Sequence, residues 1–331
     1  MIDMKVSILL PIYNVEPYIE RCVRSLLEQT YKEIEIIAID DCSHDNSIEK
    51  FRHILSEYPY AIQNVKIIVH KTNLGSALTR QEALENATGE YVMFVDSDDW
   101  IALDTVELCI KKIKESNAEM VVFYPVVVYN KRNIKSPYRF FNEKKHYVKA
   151  LIERKVMVGL PCKMYKRDLF YRISPTFTPG VNNGEDYSVT PRLAYVAKSI
   201  SFLPKHLYYY NKLNVNSFGG NYREEYLDQV IEAGKIVKDF FHDRDNGTYN
   251  RSINMAMLLI KSGCIQRCFC NAHLKHRRKE MCSLFKEDPI PHDVPLFDKV
   301  ILKLSVYKQY GPIWLLCNLR HQVAKLIKGK K

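Results

Sequence analysis

The run Val6–Ile12, VSILLPI, is almost continuously apolar, the pattern of a parallel strand buried on both faces. In residues 16–29 the apolar side chains fall at Tyr18, Ile19, Cys22, Val23, Leu26 and Leu27 with charges opposite, which predicts an amphipathic helix. The alternation then repeats. Strands are predicted at 34–39, 65–69, 91–95 and 120–129, and helices at 47–58, 76–87 and 105–116. Elements of these lengths in this order predict an α/β fold, an open and mostly parallel sheet flanked by helices, with right-handed crossovers. Such sheets bind ligands outside the carboxyl ends of their strands, where Asn14, Asp40, Asp41, Asp96 and Asp98 all stand.

Beyond residue 130 the pattern loosens. Residues 131–145 are basic and aromatic and read as a loop or hairpin. Pro179-Gly180 and Asn182-Asn183-Gly184 make a strong turn signal directly before a helix starting near Glu185. A further strand is expected at 201–210. From Arg223 onward only helices are predicted, at 223–242, 250–270, 273–286, 297–309 and 313–328. The expected division is an α/β domain over 1–218, with halves meeting near residue 100, and a C-terminal all-helical extension over 219–331.

Composition sharpens that division. Hydrophobic residues make up 47% of the 331 and charged residues 26%, ordinary for a soluble globular protein. The net charge of +11 is uneven: residues 1–218 hold 29 basic and 26 acidic side chains, whereas 251–331 hold 16 and 5. The basic tail mixes its cations with Val300, Ile301, Leu304, Trp314, Leu315, Leu319, Val323 and Leu326. Helices of that kind lie on anionic membranes, each nearby cation adding about 1 kcal/mol, or pack an apolar face inward and solvate the basic one. Both readings stay open for 297–331. The nine dispersed cysteines suit a reduced protein. Cys264, Cys268, Cys270, His273 and His276 lack zinc-knuckle spacing and read as buried thiols and surface histidines. The start of the chain shows no signal-peptide pattern, and no apolar run approaches the roughly 20 residues that span a bilayer.

The candidate chemistry is carboxylate chemistry. Asp96-Ser97-Asp98-Asp99 follows a buried strand directly, so its carboxylates can hold a hard divalent ion, Mg²⁺ or Mn²⁺. One of them, or Asp104, can instead cap the next helix. Asp40-Asp41 can accept hydrogen bonds from a nucleotide base or ribose, while Ser43 or Asp45 serves equally well as a helix cap. Glu185-Asp186 is either a helix start favoured by the macrodipole or a separate acidic pair suited to proton transfer.

Taken in order, VSILLPIYN ending at Asn14, IDDCSHD ending at Asp45, Asn73-Leu-Gly75, GEYVMFVDSDD ending at Asp99 and Gly184-Glu-Asp186 resemble glycosyltransferase family two, with its GT-A fold. The resemblance covers roughly the first 220 residues. It implies an inverting transferase that uses a nucleotide-diphosphate sugar, a UDP-sugar, and a glycan or lipid-linked acceptor in surface-polysaccharide synthesis. A cytoplasmic enzyme, peripheral to the inner membrane, is then expected. Pro11, Tyr13 and Asn14 would border base and ribose, and Asp40 or Asp41 would meet the uracil edge. Arg80 would reach the diphosphate, Asp96 and Ser97 the ribose or donor sugar, and Asp98 the Mn²⁺ or Mg²⁺ ion. Asp186 would be the base, with Glu185 and Lys163 beside the acceptor. Tyr208, Tyr209, Tyr210 and Ser217 fall in a segment that closes over the site. The family pattern has Ala-Arg-Asn where this chain has Thr79-Arg80-Gln81, and an aromatic residue where it has Pro161 and Cys162.

Two other classes fit less well. A nucleotidyltransferase needs a Gly-rich loop with a basic residue after the first strand, and Pro-Ile-Tyr-Asn-Val-Glu offers neither. A nucleic-acid module would have to rest on the tail alone, since 1–218 is nearly balanced in charge and carries no such motif, so no nucleic acid is expected.

Overall fold

The computed structural model describes residues 4–214, 223–284 and 289–329, with side chains in the last helix as far as Val323. The chain divides into two compact units, Met1–Val148 with Val158–Asn221, and Lys149–Met157 with Tyr222–Lys331. The short segment 149–157 thus belongs with the C-terminal helices, which the sequence boundary near 218 does not anticipate.

The first unit opens with β1 (Val6–Ile12), α1 (Ile19–Leu27), β2 (Ile34–Asp40), α2 (Ser47–Ser56), β3 (Val65–Val69), α3 (Ser76–Glu85) and β4 (Tyr91–Phe94). These strands run parallel in the spatial order β3-β2-β1-β4. Register fixes where they end. Ile12 pairs with Asp40 and Leu9 with Phe94, so Asn14, Asp40, Asp41 and Asp96 emerge along one edge. Both sheet faces are dry. Ile8, Leu10, Ile36 and Ala38 pack against Ile19, Val23, Leu26 and Phe51 of the covering helices.

The second half of the sheet is mixed. After β5 (Trp100–Ile101), α4 (Thr105–Ser116) and β6 (Met120–Val128) comes β7 (Asn133–Lys135), which pairs antiparallel with β6. Helix α5 (Lys144–Ile152) follows, so the basic stretch 131–145 is in part a hairpin. β8 (Lys163–Lys166) runs antiparallel to both β4 and β6. After α6 (Glu185–Val196), β9 (Ile200–Asn211) runs parallel to β6 and antiparallel to β5. The mostly parallel sheet expected from sequence therefore holds for β1–β4, and short antiparallel insertions complete the α/β fold.

The second unit is helical: α7 (Glu225–Phe241), α8 (Asn250–Cys270), α9 (Arg278–Ser283), α10 (Leu296–Val306) and α11 (Tyr310–Gly329). The single helix expected at 273–286 is a 3₁₀ turn followed by α9, and 285–288 lie outside the described residues. α8 is the axis of the unit. Met255 and Leu258 pack with Val294 and Leu302, and Cys264 and Cys268 are buried along it. On α11, Ile313 and Cys317 turn inward, whereas Trp314, Leu315, Leu319 and Val323 are each at least half exposed. Among the described residues no helix is long and apolar enough to cross a membrane.

One glycine sets how closely β1 and β4 approach. The Gly89 N–H donates to Ser7 Oγ at 2.8 Å, and a Cβ on Gly89 would stand 2.7 Å from the Ser7 amide nitrogen and 2.8 Å from the Lys5 carbonyl. Those neighbours are backbone and cannot rotate away. Gly89→Ala is expected to destabilise the first unit by about 1–3 kcal/mol, read as a lower urea midpoint with an unchanged slope.

Candidate active site

The edge is built by stitching loops together. Asn14 sits in the left-handed region at φ 50°, donates its N–H to Ser43 Oγ at 3.1 Å, and accepts the His44 N–H on Oδ1 at 2.8 Å. Asp45 accepts the N–H groups of Glu16 and Ser47 at 2.9 and 3.1 Å, so it does the work of a cap for α2. Tyr13 is exposed beside this seam, and Pro11 is half-buried at the end of β1.

Asp40 and Asp41 have different fates. Asp41 accepts the N–H groups of Leu74 and Gly75 at 2.7 and 2.8 Å, and His70 Nδ1 lies 2.8 Å from its Oδ1. Its carboxylate is consumed in holding the loop before α3. Asp40 accepts only the Ser43 N–H, on Oδ2 at 3.3 Å, and its buried Oδ1 has no partner. A buried acceptor without a donor is costly unless a ligand supplies one. Of the two, Asp40 is the one with an atom to offer.

Arg80 lies at the centre. It is 6% exposed; Nη2 donates to Asp96 Oδ1 at 2.8 Å, Nη1 donates to Glu185 Oε1, and Nη1 lies 3.4 Å from Asp186 Oδ1. Burial opposes its charge, but Asp186, Asp96 and Glu185 more than compensate and hold its pKa above the usual arginine value. The loops are fitted to bring these groups together. Gly75 has φ 85°, the Asn182 amide fills the space where a side chain would stand, and Asn182 Oδ1 accepts the Ala77 N–H at 3.0 Å. Ser76 Oγ donates to Glu185 at 2.8 Å. Three carboxylates share one guanidinium. Burial pushes Glu185 up to about 7 against the pull of Arg80, and Asp186 is raised in the same way.

The triplet is braced from β9. The Asp96 N–H donates to Tyr208 Oη at 3.1 Å, and that hydroxyl donates to Asp99 Oδ2 at 2.6 Å. Asp99 Oδ1 accepts the Asn211 N–H at 2.7 Å, and Asp98 Oδ2 accepts from Asn214 Nδ2 at 2.9 Å. Asp99 is therefore an internal anchor, not a helix cap, and burial with Asp96 and Asp98 nearby pushes it up to about 9. Asp104 takes the N-cap position of α4 without a side-chain bond. Ser97 is buried between its acidic neighbours. Of the three tyrosines in this stretch, Tyr208 is internal, Tyr209 stacks on Trp100 with centroids 5.2 Å apart, and Tyr210 accepts from Lys212 Nζ at 2.7 Å. Ser217 lies outside the described residues.

Asp186, in the first turn of α6, is half-buried, and its Oδ1 makes no hydrogen bond. Lys163 is fully buried. Its ammonium donates to the Gly159 carbonyl at 2.5 Å, and burial pulls it down to about 8. Glu185 is likewise turned inward, on Arg80 and Ser76.

The model of the family described as Glycosyl transferase family 2 matches residues 7–174, half of the chain. The chain belongs to that family. It is a glycosyltransferase. The putative glycosyltransferase EpsH of Bacillus subtilis is 28% identical over 268 residues, 78% of this chain and 76% of EpsH. The glycosyltransferase GlyA of Streptococcus pneumoniae is 31% identical over 250 residues, 70% of this chain but only 34% of GlyA. Among solved structures, S. aureus TarS 1–349 in complex with UDP-GlcNAc superposes with a TM-score of 0.72 at 22% identity, covering 96% of this chain and 92% of that one. That likeness carries the GT-A fold.

Among the described residues no three His, Cys, Asp or Glu side chains form a metal cluster. The donor set nonetheless fits a hard divalent ion. Burial and the charge of Asp96 raise Asp98, a repulsion that a cation beside Asp98 and Asp96 would relieve. Sequence reasoning missed Tyr208 as a brace and His70, Ser76, Asn182, Asn211 and Asn214 altogether. Asn182 alone carried a signal, as part of a turn.

Arg80→Gln is expected to leave the buried Glu185 and the half-buried Asp96 and Asp186 without their shared guanidinium and to cost about 3–5 kcal/mol of stability at neutral pH. The folded pKa values of Glu185 and Asp186 then stand further above the unfolded values of 4.5 and 3.8, so stability is lost as pH rises from there through the folded values. Urea unfolding should show the defect small near about pH 4 and largest above about pH 7.

Proposed function

We propose that this enzyme transfers a sugar, with inversion, from a UDP-sugar to a hydroxyl of a glycan or lipid-linked acceptor in cell-surface polysaccharide synthesis. One observation carries the reading. The Arg80 guanidinium ties Asp96, on the donor side, to Glu185 and Asp186 on the other side, so two carboxylate stations share one brace. TarS, bound to UDP-GlcNAc in its structure, supports the choice of donor. The chain spans about a third of GlyA and of the poly(ribitol-phosphate) transferases it resembles, so the acceptor is assigned only by class.

In this reading the free Oδ1 of Asp40 accepts the N–H of the base, while Pro11, Tyr13 and Asn14 border base and ribose. Asp96 and Ser97 face the donor sugar. Asp98, with Asp96 beside it, would hold Mn²⁺ or Mg²⁺, which would supply Lewis-acid neutralisation of the departing diphosphate. Mannosyltransferase PcManGT, whose structure contains GDP-Man and Mn²⁺, shares the fold at a TM-score of 0.51. Arg80 acts as the brace, with Nη1 and Nη2 turned to carboxylates, and its buried Nε, which makes no hydrogen bond, is the nitrogen left for the donor diphosphate.

Asp186 takes the acceptor proton. The acceptor oxygen bonds to the anomeric carbon as the bond to the leaving phosphate oxygen breaks, and the electron pair leaves with the nucleotide diphosphate. A carboxylate raised by burial is a stronger base than a solvated one, which suits this role. Lys163 and Glu185 shape the acceptor side from within. Lys163 holds the 159–161 segment and lends positive charge to Asp186, and Glu185 positions Arg80.

In this reading the enzyme works at the cytoplasmic face of the inner membrane. The half-exposed row Leu315, Leu319 and Val323 recurs every four residues on α11, beside Trp314, in the part of the chain that carries the basic excess.

Transfer across a panel of nucleotide sugars, with and without Mn²⁺, tests the reading. Asp98→Ala should abolish the metal dependence and reduce turnover at least about 100-fold, and Asp186→Asn should lower transfer by about 10²–10⁴ while leaving donor binding intact. Full activity in either variant removes that assignment. Replacing Trp314, Leu315 and Leu319 together by Ser should abolish sedimentation with anionic vesicles and leave transfer to a soluble acceptor unchanged.

A further inference from the structure

His70 directly follows β3 and joins three elements of the donor side. Its backbone N–H donates to the Asp40 carbonyl at 2.9 Å. Its ring lies between two carboxylates, with Nδ1 2.8 Å from Asp41 Oδ1 and Nε2 2.7 Å from Glu82 Oε2 on α3. Only 7% of the side chain is exposed, against 5% for Asp41 and 35% for Glu82. A neutral imidazole has one N–H and one lone pair, so one nitrogen would turn its lone pair to an ionised oxygen within hydrogen-bonding distance. The imidazolium, with two N–H groups, satisfies both carboxylates.

What hangs on this ring is the Asp40–Asp41 shelf and the loop before α3. Asp41 carries the Leu74 and Gly75 amides, and Asn73 Nδ2 donates to its carbonyl at 3.1 Å. Asp41 also follows Asp40, whose unpartnered Oδ1 faces the base in the reading above. Glu82 stands two residues beyond Arg80 on the same helix. The charged groups facing the ring are Asp41 at the end of β2 and Glu82 on α3, while Asp40 turns its Oδ2 to the Ser43 N–H.

We propose that His70 is a positioning residue whose doubly donating, protonated ring holds the Asp40–Asp41 shelf and the 73–75 loop in the donor-binding arrangement, so that one proton on this ring controls donor affinity. This rests on the nucleotide-sugar reading of the site. Burial disfavours the charged ring, but the hydrogen bonds it donates to Asp41 and Glu82 outweigh that and raise its pKa above the usual 6.5. The sign follows: the arrangement is intact below that value and is lost as pH rises through the higher folded one.

The test measures donor KM and kcat from about pH 6 to about pH 9, with UDP titrated by calorimetry and hydrogen exchange followed at the Leu74 and Gly75 amides. In the wild type, donor KM and UDP Kd should rise about tenfold or more across the window with kcat changed far less, and amide protection should fall in step. Glu82→Gln supplies an amide that donates to a neutral ring, so its donor KM should stay flat while that variant remains folded. His70→Ala should show the high KM at every pH. A wild-type KM and amide protection that do not vary with pH, a Glu82→Gln profile with the wild-type slope, or a His70→Ala defect confined to kcat overturns the proposal. Amide protection that follows pH in a protein binding no nucleotide would uphold His70 as the loop's brace, overturn its control of donor affinity, and remove the donor reading.

Discussion

The site depends on one electrostatic constraint, a single guanidinium shared among three carboxylates. Arg80 is carried by α3, Asp96 by the end of β4, and Glu185 and Asp186 by α6, so the cluster joins segments about 100 residues apart in sequence. A buried ion pair is weak evidence for stability, since desolvation offsets much of the attraction. Leaving its members unpaired is expensive, however, and that asymmetry explains the fitting around it. Gly75 leaves room for Asn182, Asn182 caps the start of α3, and Ser76 hydrogen-bonds Glu185. Each contact fixes where the guanidinium must lie.

The same constraint separates residues that look equivalent. Asp40 and Asp41 are neighbours of identical chemistry at the end of β2, yet one closes a loop and the other keeps a buried oxygen without a donor. Asp96, Asp98 and Asp99 divide likewise. Asp99 is spent on Tyr208 and Asn211, Asp96 leans on Arg80, and Asp98 accepts from Asn214. Structure and chemistry are allotted residue by residue within each acidic run: Asp41 and Asp99 are taken by backbone amides, while Asp40 keeps a buried oxygen without a partner.

How much of this was legible followed physical lines. β1–β4 and their helices were readable because long apolar runs and helical spacing extend over enough residues to show a period. β5 and β8 are two and four residues long, too short for any period, so the antiparallel pairings they make went unseen, although β6 and β9 were readable as strands. The acidic stations were readable as residue types at strand ends. Their assignments were not, because Tyr208, Tyr209 and Tyr210 are alike in sequence and only packing sends one inward to Asp99, one to Trp100 and one to Lys212. His70 gave no signal at all. A histidine after a strand is ordinary until its two carboxylate partners, 29 and 12 residues away, are seen in place.

Residues 1–218 are nearly balanced in charge, yet their carboxyl edge concentrates carboxylates well beyond what Arg80 neutralises. Carboxylates alone repel a diphosphate, so an edge built this way is poorly suited to an anionic donor arriving by itself. The surplus makes sense if a hard cation accompanies the donor at Asp98 and Asp96, while Asp186 is kept for the proposed proton transfer. The imbalance within the edge is then functional. Arg80 is sufficient to let the carboxylates come together and insufficient to quench them, and the proposed transfer, which must hold a leaving group and deprotonate an acceptor, needs both.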